Sequence, residues 1–382
     1  MQNTLHSPSE LAIKHSQRLI TYIKSLIELS GSLSFAEYMQ EVLYAAGLGY
    51  YQAGSYKLGM QGDFITAPEI SMLFGQCVAT QFSKVLPKLQ APVIFELGAG
   101  TGKLAADILQ HLASIDMLPE AYWILEVSAE LKARQQEMLQ KHCPDFFDRI
   151  VWCEQLPDNP FEGIIFGNEV IDALPVERFI KRGNVVKQLG VQWQNDSFAW
   201  AERDAPQALQ NAVDDIEKDW PDGSDDYTSE INLKLHDWIS AVTQPLSKGL
   251  VLWMDYGLSE KDYYRSERQN GTLRCYYQHH WHEDPFVYPG LQDITADVNF
   301  TQLANAGIDA GLELSGYTTQ AAFLIANGLE RFVGDSTLDA LALQSQIRLL
   351  THPQEMGERF KVMAFTRNLD LELGWVDLSH QL

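Results

Sequence analysis

Val93-Ile-Phe-Glu-Leu-Gly-Ala-Gly-Thr-Gly-Lys103 reads as a strand, a turn and the start of a helix written end to end. Val93–Leu97 is a short apolar run of strand type. Gly98, Gly100 and Gly102, with only Ala99 and Thr101 between them, make a turn almost without side chains. Lys103–Leu112 then has apolar residues at helical spacing. Strand, glycine turn and helix let a nucleotide-like ligand approach bare backbone and a helix N-terminus. A dinucleotide fingerprint, G-x-G-x-x-G, carries a third glycine for close helix–strand packing. Counted from Gly98, that position holds Lys103, and Glu96 stands two residues ahead of the turn. A carboxylate there repels a pyrophosphate and suits a cationic amino-acid moiety.

The pattern resembles motif I of the class I S-adenosylmethionine (SAM) methyltransferases, and the flanking chain has the matching rhythm. Tyr122–Val127 reads as a second strand, Arg149–Cys153 as a third and Gly163–Phe166 as a fourth, with helices Lys103–Leu112 and Ala129–Lys141 between. Such alternation implies a parallel sheet. Glu126 ends the second strand, where a nucleotide-binding sheet places an acid on the ribose hydroxyls. Gly249–Met254, Gly311–Gly316 and Phe360–Thr366 bring the strand count to about seven. The fold class is therefore α/β, a Rossmann-like, mostly parallel sheet with helices on both faces.

Outside this core, Leu11–Leu29 and Ser34–Tyr44 read as helices, the second opened by a capping box of Ser34 and Glu37. Gly62–Ser71, beside a helix running to about Leu86, is either a lid over a pocket or a structural turn. Val176–Ile180, Val185–Gly190 and Phe198–Ala201 alternate between turn signals, a β-meander. Asp214–Glu230 has eight acids against Lys218 and reads as a solvated loop, with docking of a basic partner the lesser alternative. Ser259–Gly290 reads as a long polar and aromatic loop; its His279, His280 and His282 have no companion spacing for a metal, and no metal is expected.

Composition narrows the class. The chain has 382 residues, 46% hydrophobic and 11% aromatic, as a folded globular protein does. A net charge of −23 argues against nucleic acid as partner. No apolar run approaches the roughly 20 residues of a membrane span. Cys77, Cys143, Cys153 and Cys275 form no C-x-x-C pair, so they read as buried free thiols rather than zinc ligands or disulfides. Met1–Glu10 is polar and lacks both the apolar stretch of a signal peptide and the Arg-rich character of a transit peptide, from which a cytoplasmic location is expected.

Phe166-Gly-Asn-Glu-Val-Ile-Asp-Ala-Leu-Pro-Val176 follows the fourth strand, and ligands of open parallel sheets bind beyond the carboxyl ends of central strands. Asn168, Glu169 and Asp172 are thus aimed at whatever sits over the glycine turn. Glu169 and Asp172 could pair with the N–H fork of a guanidinium and take its proton, with Asn168 beside them. Alternatively Asp172 caps the next segment and Glu169 only contacts cofactor.

Taken together, Gly62-Asp-Phe-Ile-Thr-Ala-Pro-Glu-Ile-Ser71, Glu96–Gly102, Gly167–Val176, Asp255-Tyr-Gly257, Gly271-Thr-Leu-Arg274 and Pro289–Asp297 closely resemble the MidA-like SAM-dependent methyltransferases, from about residue 35 to the C-terminus. The resemblance implies SAM as donor, S-adenosyl-L-homocysteine as product and a protein arginine as acceptor. It implies cofactor contacts from Gly98, Ala99, Gly100, Thr101, Gly102, Glu96, Glu126, Asn168 and the third strand's end at Gln155 and Leu156, with Gly62, Asp63, Phe64 and Thr66 closing over the cofactor. His279 and His282 fall where relatives often have histidine, and Asn299 where they usually have Asp. The chain looks like a bacterial member, and a homodimer is compatible with it. Four segments follow: a helical cap (1–90), a SAM-binding core (91–175), a meander with an acidic helical insertion (176–248), and completion of the sheet with a substrate loop (249–382). A small-molecule methyltransferase, a SAM-binding assembly factor without catalysis and a dehydrogenase are the competing readings; Lys103 speaks against the last.

Overall fold

The computed structural model describes residues 5–52, 66–217, 226–332 and 340–382. Its centre is a sheet of Val93–Leu97 (β1), Ala121–Leu125 (β2), Ile150–Cys153 (β3), Phe161–Asn168 (β4), Leu246–Leu258 (β5), Glu313–Thr319 (β6) and Phe360–Arg367 (β7). The spatial order is β3-β2-β1-β4-β5-β7-β6, with Val298–Asn299 adding a short bridge to the end of β5. Only β7 runs antiparallel to its neighbours on this path. Strand order reverses between β1 and β4, which opens a crevice at their carboxyl ends.

The main helices are Glu10–Ser30 (α1), Phe35–Tyr44 (α2), Met72–Ser83 (α3), Lys103–Ser114 (α4), Ala129–His142 (α5), Gln207–Glu217 (α6), Leu235–Thr243 (α7) and Phe300–Asp309 (α8), followed by Gln320–Ala326 and Ala340–Thr351 towards the C-terminus. Every residue of β1 is buried, so its alternation serves two cores. Ile94 joins the cluster under α3 and α4 with Phe74, Val78, Ile108 and Leu109. Phe95 and Leu97 join the opposite cluster, with Ile239 of α7 and Leu303 of α8. Helices on both faces thus clamp the strand that leads into the glycine turn.

The predicted capping box is present: Ser34 Oγ accepts from the Glu37 N–H at 3.2 Å, and Glu37 Oε2 accepts from the Ser34 N–H at 2.7 Å. The cap helices pack through Leu19, Phe35, Tyr38 and Leu43 against Val191 and Phe198 of a second sheet and against Ile294. That second sheet holds the predicted meander, Glu177–Arg182, Val185–Gln194 and Ser197–Asp204, extended by Leu33–Ser34 and Tyr227–Ile231.

Two expectations change here. Asp214–Glu230 is not simply a solvated loop: its first residues finish α6, and Tyr227–Ile231 pairs antiparallel with Glu177–Arg182. Charge density hides this strand, because Glu230 is fully buried. Its Oε1 lies 3.2 Å from Arg178 Nε, and its Oε2 accepts from the Thr272 N–H at 2.8 Å. Gly271, at φ +75°, clears the way; a Cβ there would stand 2.2 Å from Glu230 Oε2. Ser259–Gly290 is likewise not loop throughout, since Arg274–Tyr277 pairs with both His280–His282 and Asp293–Thr295.

Candidate active site

A cavity of about 540 Å³ lies in the crevice beyond β1, β2 and β4. Its floor is the glycine turn, where Gly98, Gly100 and Gly102 have φ of +66°, +55° and +84°. These left-handed angles favour glycine, and bare backbone is what keeps the floor open. A Cβ on Gly98 would meet Val170 Cγ2 at 3.2 Å, and one on Gly102 would meet Gln135 Cα at 3.3 Å. The Thr101 hydroxyl donates to Glu69 Oε1 at 2.5 Å, tying the turn to Ala67–Ile70 on its other side.

Glu126, just past β2, is held in place. Its Oε1 accepts from the Ser128 N–H and its Oε2 from Gln135 Nε2, both at 2.8 Å. Gln135 also donates to the Gly100 carbonyl at 2.9 Å and accepts from Trp152 Nε1 at 3.0 Å. The glycine turn and the second acid are therefore positioned by one side chain. Burial raises the Glu126 pKa, and those donors from Ser128 and Gln135 restrain the rise. Glu96 is also buried, with Tyr122 donating to its Oε2 at 2.7 Å, and burial pushes its pKa up to about 8.

The opposite wall is acidic too. Asn168 Nδ2 donates to Glu169 Oε1 at 3.1 Å, and Glu169 takes a left-handed φ of +53°. Burial, then the charge of Asp172, pushes the Glu169 carboxyl up to about 8, with Asp293 adding to the rise. Asp172 is pushed up to about 6 by burial, against the Tyr256 hydroxyl that faces it. Tyr44 and Tyr51 stack at 5.4 Å between ring centroids, and the Tyr51 hydroxyl donates to Asp293 Oδ1 at 3.0 Å. Among the described lining residues, four carboxylates (Glu69, Glu96, Glu126, Glu169) face one cation, Lys234.

The sequence-derived site largely converges on this cavity: Glu96, Gly98, Ala99, Gly100, Thr101, Glu126, Asn168, Glu169 and Thr66 all line it. Gly102 sits just behind, as the residue that starts α4. Three residues fall elsewhere. Asp172 is 5% exposed and outside the lining, because the turn after Glu169 directs it towards Tyr256. Gln155 is exposed and Leu156 packs against the core, since β3 ends at Cys153; Val127 and Leu131 supply wall residues beyond β2 instead. Gly62, Asp63 and Phe64 lie outside the described residues.

His279 is exposed in the turn between Arg274–Tyr277 and His280–His282, and neither it nor His282 lines the cavity. Asn299 caps α8, accepting from the Gln302 N–H at 3.1 Å and donating to Glu260 at 3.2 Å. Sequence reasoning missed Tyr44, Tyr51, Glu69 and Asp293. Glu69 and Asp293 stand inside stretches that the resemblance had already marked, so the signal was there without a role attached.

A floor without side chains lets a ligand lie against bare backbone, and acids on either side of it disfavour a pyrophosphate. Both features suit a class I methyltransferase, whose cofactor is SAM. The residues fit that group: a ligand carrying sulfonium and ammonium charges matches a cavity whose described lining residues include four carboxyl groups and one cation. A family model described as S-adenosyl-L-methionine-dependent methyltransferase matches residues 73–318, and the chain belongs to that family. A Burkholderia thailandensis protein crystallised with S-adenosyl-homocysteine superposes with a TM-score of 0.93 at 37% identity, covering 99% of this chain and 100% of its own.

Curated relatives include the protein arginine methyltransferase NDUFAF7 homolog of Drosophila melanogaster, 29% identical over 91% of this chain and 84% of its own length. The human protein arginine methyltransferase NDUFAF7 is 27% identical over 93% of this chain and 85% of its own. These relatives overturn one expectation: both are named as mitochondrial, so the cytoplasmic location read from a polar N-terminus is withdrawn.

Proposed function

We propose that the chain transfers a methyl group from SAM to an arginine side chain of a protein. The observation that carries this reading is Glu169 on the cavity wall, a buried carboxyl that burial, then the charge of Asp172, with Asp293 adding, pushes up to about 8. Buried carboxylates that repel one another are costly unless a cation joins them. A guanidinium is a planar cation with paired N–H donors, which a carboxylate accepts in a fork. The names of the Drosophila and human relatives support the same acceptor.

In this reading Glu126 holds the ribose hydroxyls, Glu96 and the glycine turn hold the amino-acid end, and Asn168 steadies Glu169. SAM supplies an electrophilic methyl group when bound. Glu169 accepts an N–H of the guanidinium and points a neighbouring lone pair along the line of displacement. As the nitrogen–carbon bond forms and the carbon–sulfur bond breaks, the surplus N–H proton passes to the Glu169 carboxylate.

The test uses tritiated SAM with the purified enzyme and a protein extract, followed by mass spectrometry of labelled proteins. Methylarginine lost in Glu169→Gln supports the proposal. Label confined to metabolites, or to residues other than arginine, rejects it.

A further inference from the structure

We infer that Asp255, at the end of β5, is a positioning residue for methyl transfer: one of its oxygens sets the course of the loop that presents Glu169 to the cavity. The Asp255-Tyr-Gly257 stretch was marked by resemblance alone, and nothing in the site so far assigns it a role. Asp255 is 1% exposed. Its Oδ2 accepts the backbone N–H groups of Val170 at 3.2 Å, Ile171 at 2.9 Å and Asp172 at 3.2 Å. Just before it, the Met254 carbonyl accepts the Glu169 N–H at 2.9 Å. Four successive amides, 169 to 172, are thus committed to two successive residues of β5.

That arrangement explains a conformation the sequence cannot show. Glu169 is a non-glycine residue at φ +53°, a region that side chains seldom occupy unless surroundings hold them there. Three N–H groups converging on one oxygen form the same concave donor set that binds anions elsewhere. Here the acceptor oxygen is part of the chain, and it turns the backbone so that Glu169 lines the cavity while Asp172 does not. Asp255 does not line the cavity itself. It acts through Glu169, so the inference holds whatever the acceptor proves to be.

The test needs no acceptor. The full chain is titrated with S-adenosyl-homocysteine by calorimetry, and the resonance of bound [methyl-13C]SAM is recorded by NMR. Asp255→Ala removes the common acceptor; affinity held by the glycine turn should survive, while the bound methyl resonance shifts from its unaltered position. Asp255→Asn keeps one oxygen for the three amides and should restore that position. Should Asp255→Ala fail to fold, Asp255→Ser, whose short hydroxyl can hold at most one amide, takes its place with the same readouts. An unshifted resonance in the folded variant overturns the inference. An equal shift in Asp255→Asn also overturns it, because charge rather than loop anchorage would then be the operative feature.

Discussion

Gly98 carries the tightest constraint on any single residue of the turn: a φ of +66° and Val170 Cγ2 only 3.2 Å from where a Cβ would stand. Gly98→Val adds left-handed strain of about 1–2 kcal/mol and places methyl groups on the cavity floor. S-adenosyl-homocysteine affinity should fall at least about tenfold, the equivalent of 1.4 kcal/mol, by calorimetry; an unchanged affinity would remove the turn from the site. Glu96 and Glu169, both pushed up to about 8, hold protons for much of the time near pH 7. A cationic ligand favours their ionised forms, so SAM binding at pH 7 should release protons. Calorimetry in buffers of unlike ionisation heat reads this directly, and identical heats would contradict it. The types and spacing of these residues were legible in the sequence. The backbone angle of Glu169 was not, since it is imposed by Met254 and Asp255 from a strand some 85 positions away in the chain.

Among elements, β1 and α4 start where the sequence pattern put them, because period two, glycine and period 3.6 follow one another without ambiguity. Tyr227–Ile231 was hidden for the opposite reason: an acid that is exposed in most proteins is buried here against Arg178. Arg178→Met should therefore destabilise the protein by about 3–5 kcal/mol in urea unfolding, since Glu230 is left buried without its cation. A loss below about 1 kcal/mol, the scale of an exposed pair, would mean that Thr272 alone suffices. The capping box is a milder case. Ser34→Ala should cost about 1 kcal/mol, and a thermal melt unchanged from the parent would show that α2 is held by its packing against the second sheet alone.

At the scale of the molecule, several carboxylates share one direction of shift. Glu96, Glu169 and Asp172 all hold protons more tightly folded than unfolded, chiefly through burial. Stability from groups of this sign is complete below their unfolded pKa values and is lost as pH rises through the folded ones. The net charge of −23 adds self-repulsion over the same interval. The ligand-free protein should accordingly melt at lower temperature at pH 8.5 than at pH 6, and saturating SAM should narrow the gap by bringing positive charge to the cavity. A melting temperature that climbs with pH would refute this.

The succession of strands along the chain, the glycine turn and the acids Glu96, Glu126 and Glu169 could be read from the chain alone, because each depends on local spacing at the end of a strand. The acceptor side could not. Tyr51 meets Asp293 across 242 positions, Tyr44 reaches the Ala173 carbonyl across 129, and Asp255 governs Glu169 from another strand. Such partnerships have no period and no fixed spacing in sequence; they exist only once the sheet has brought its carboxyl ends to one edge and the cap helices have closed over them.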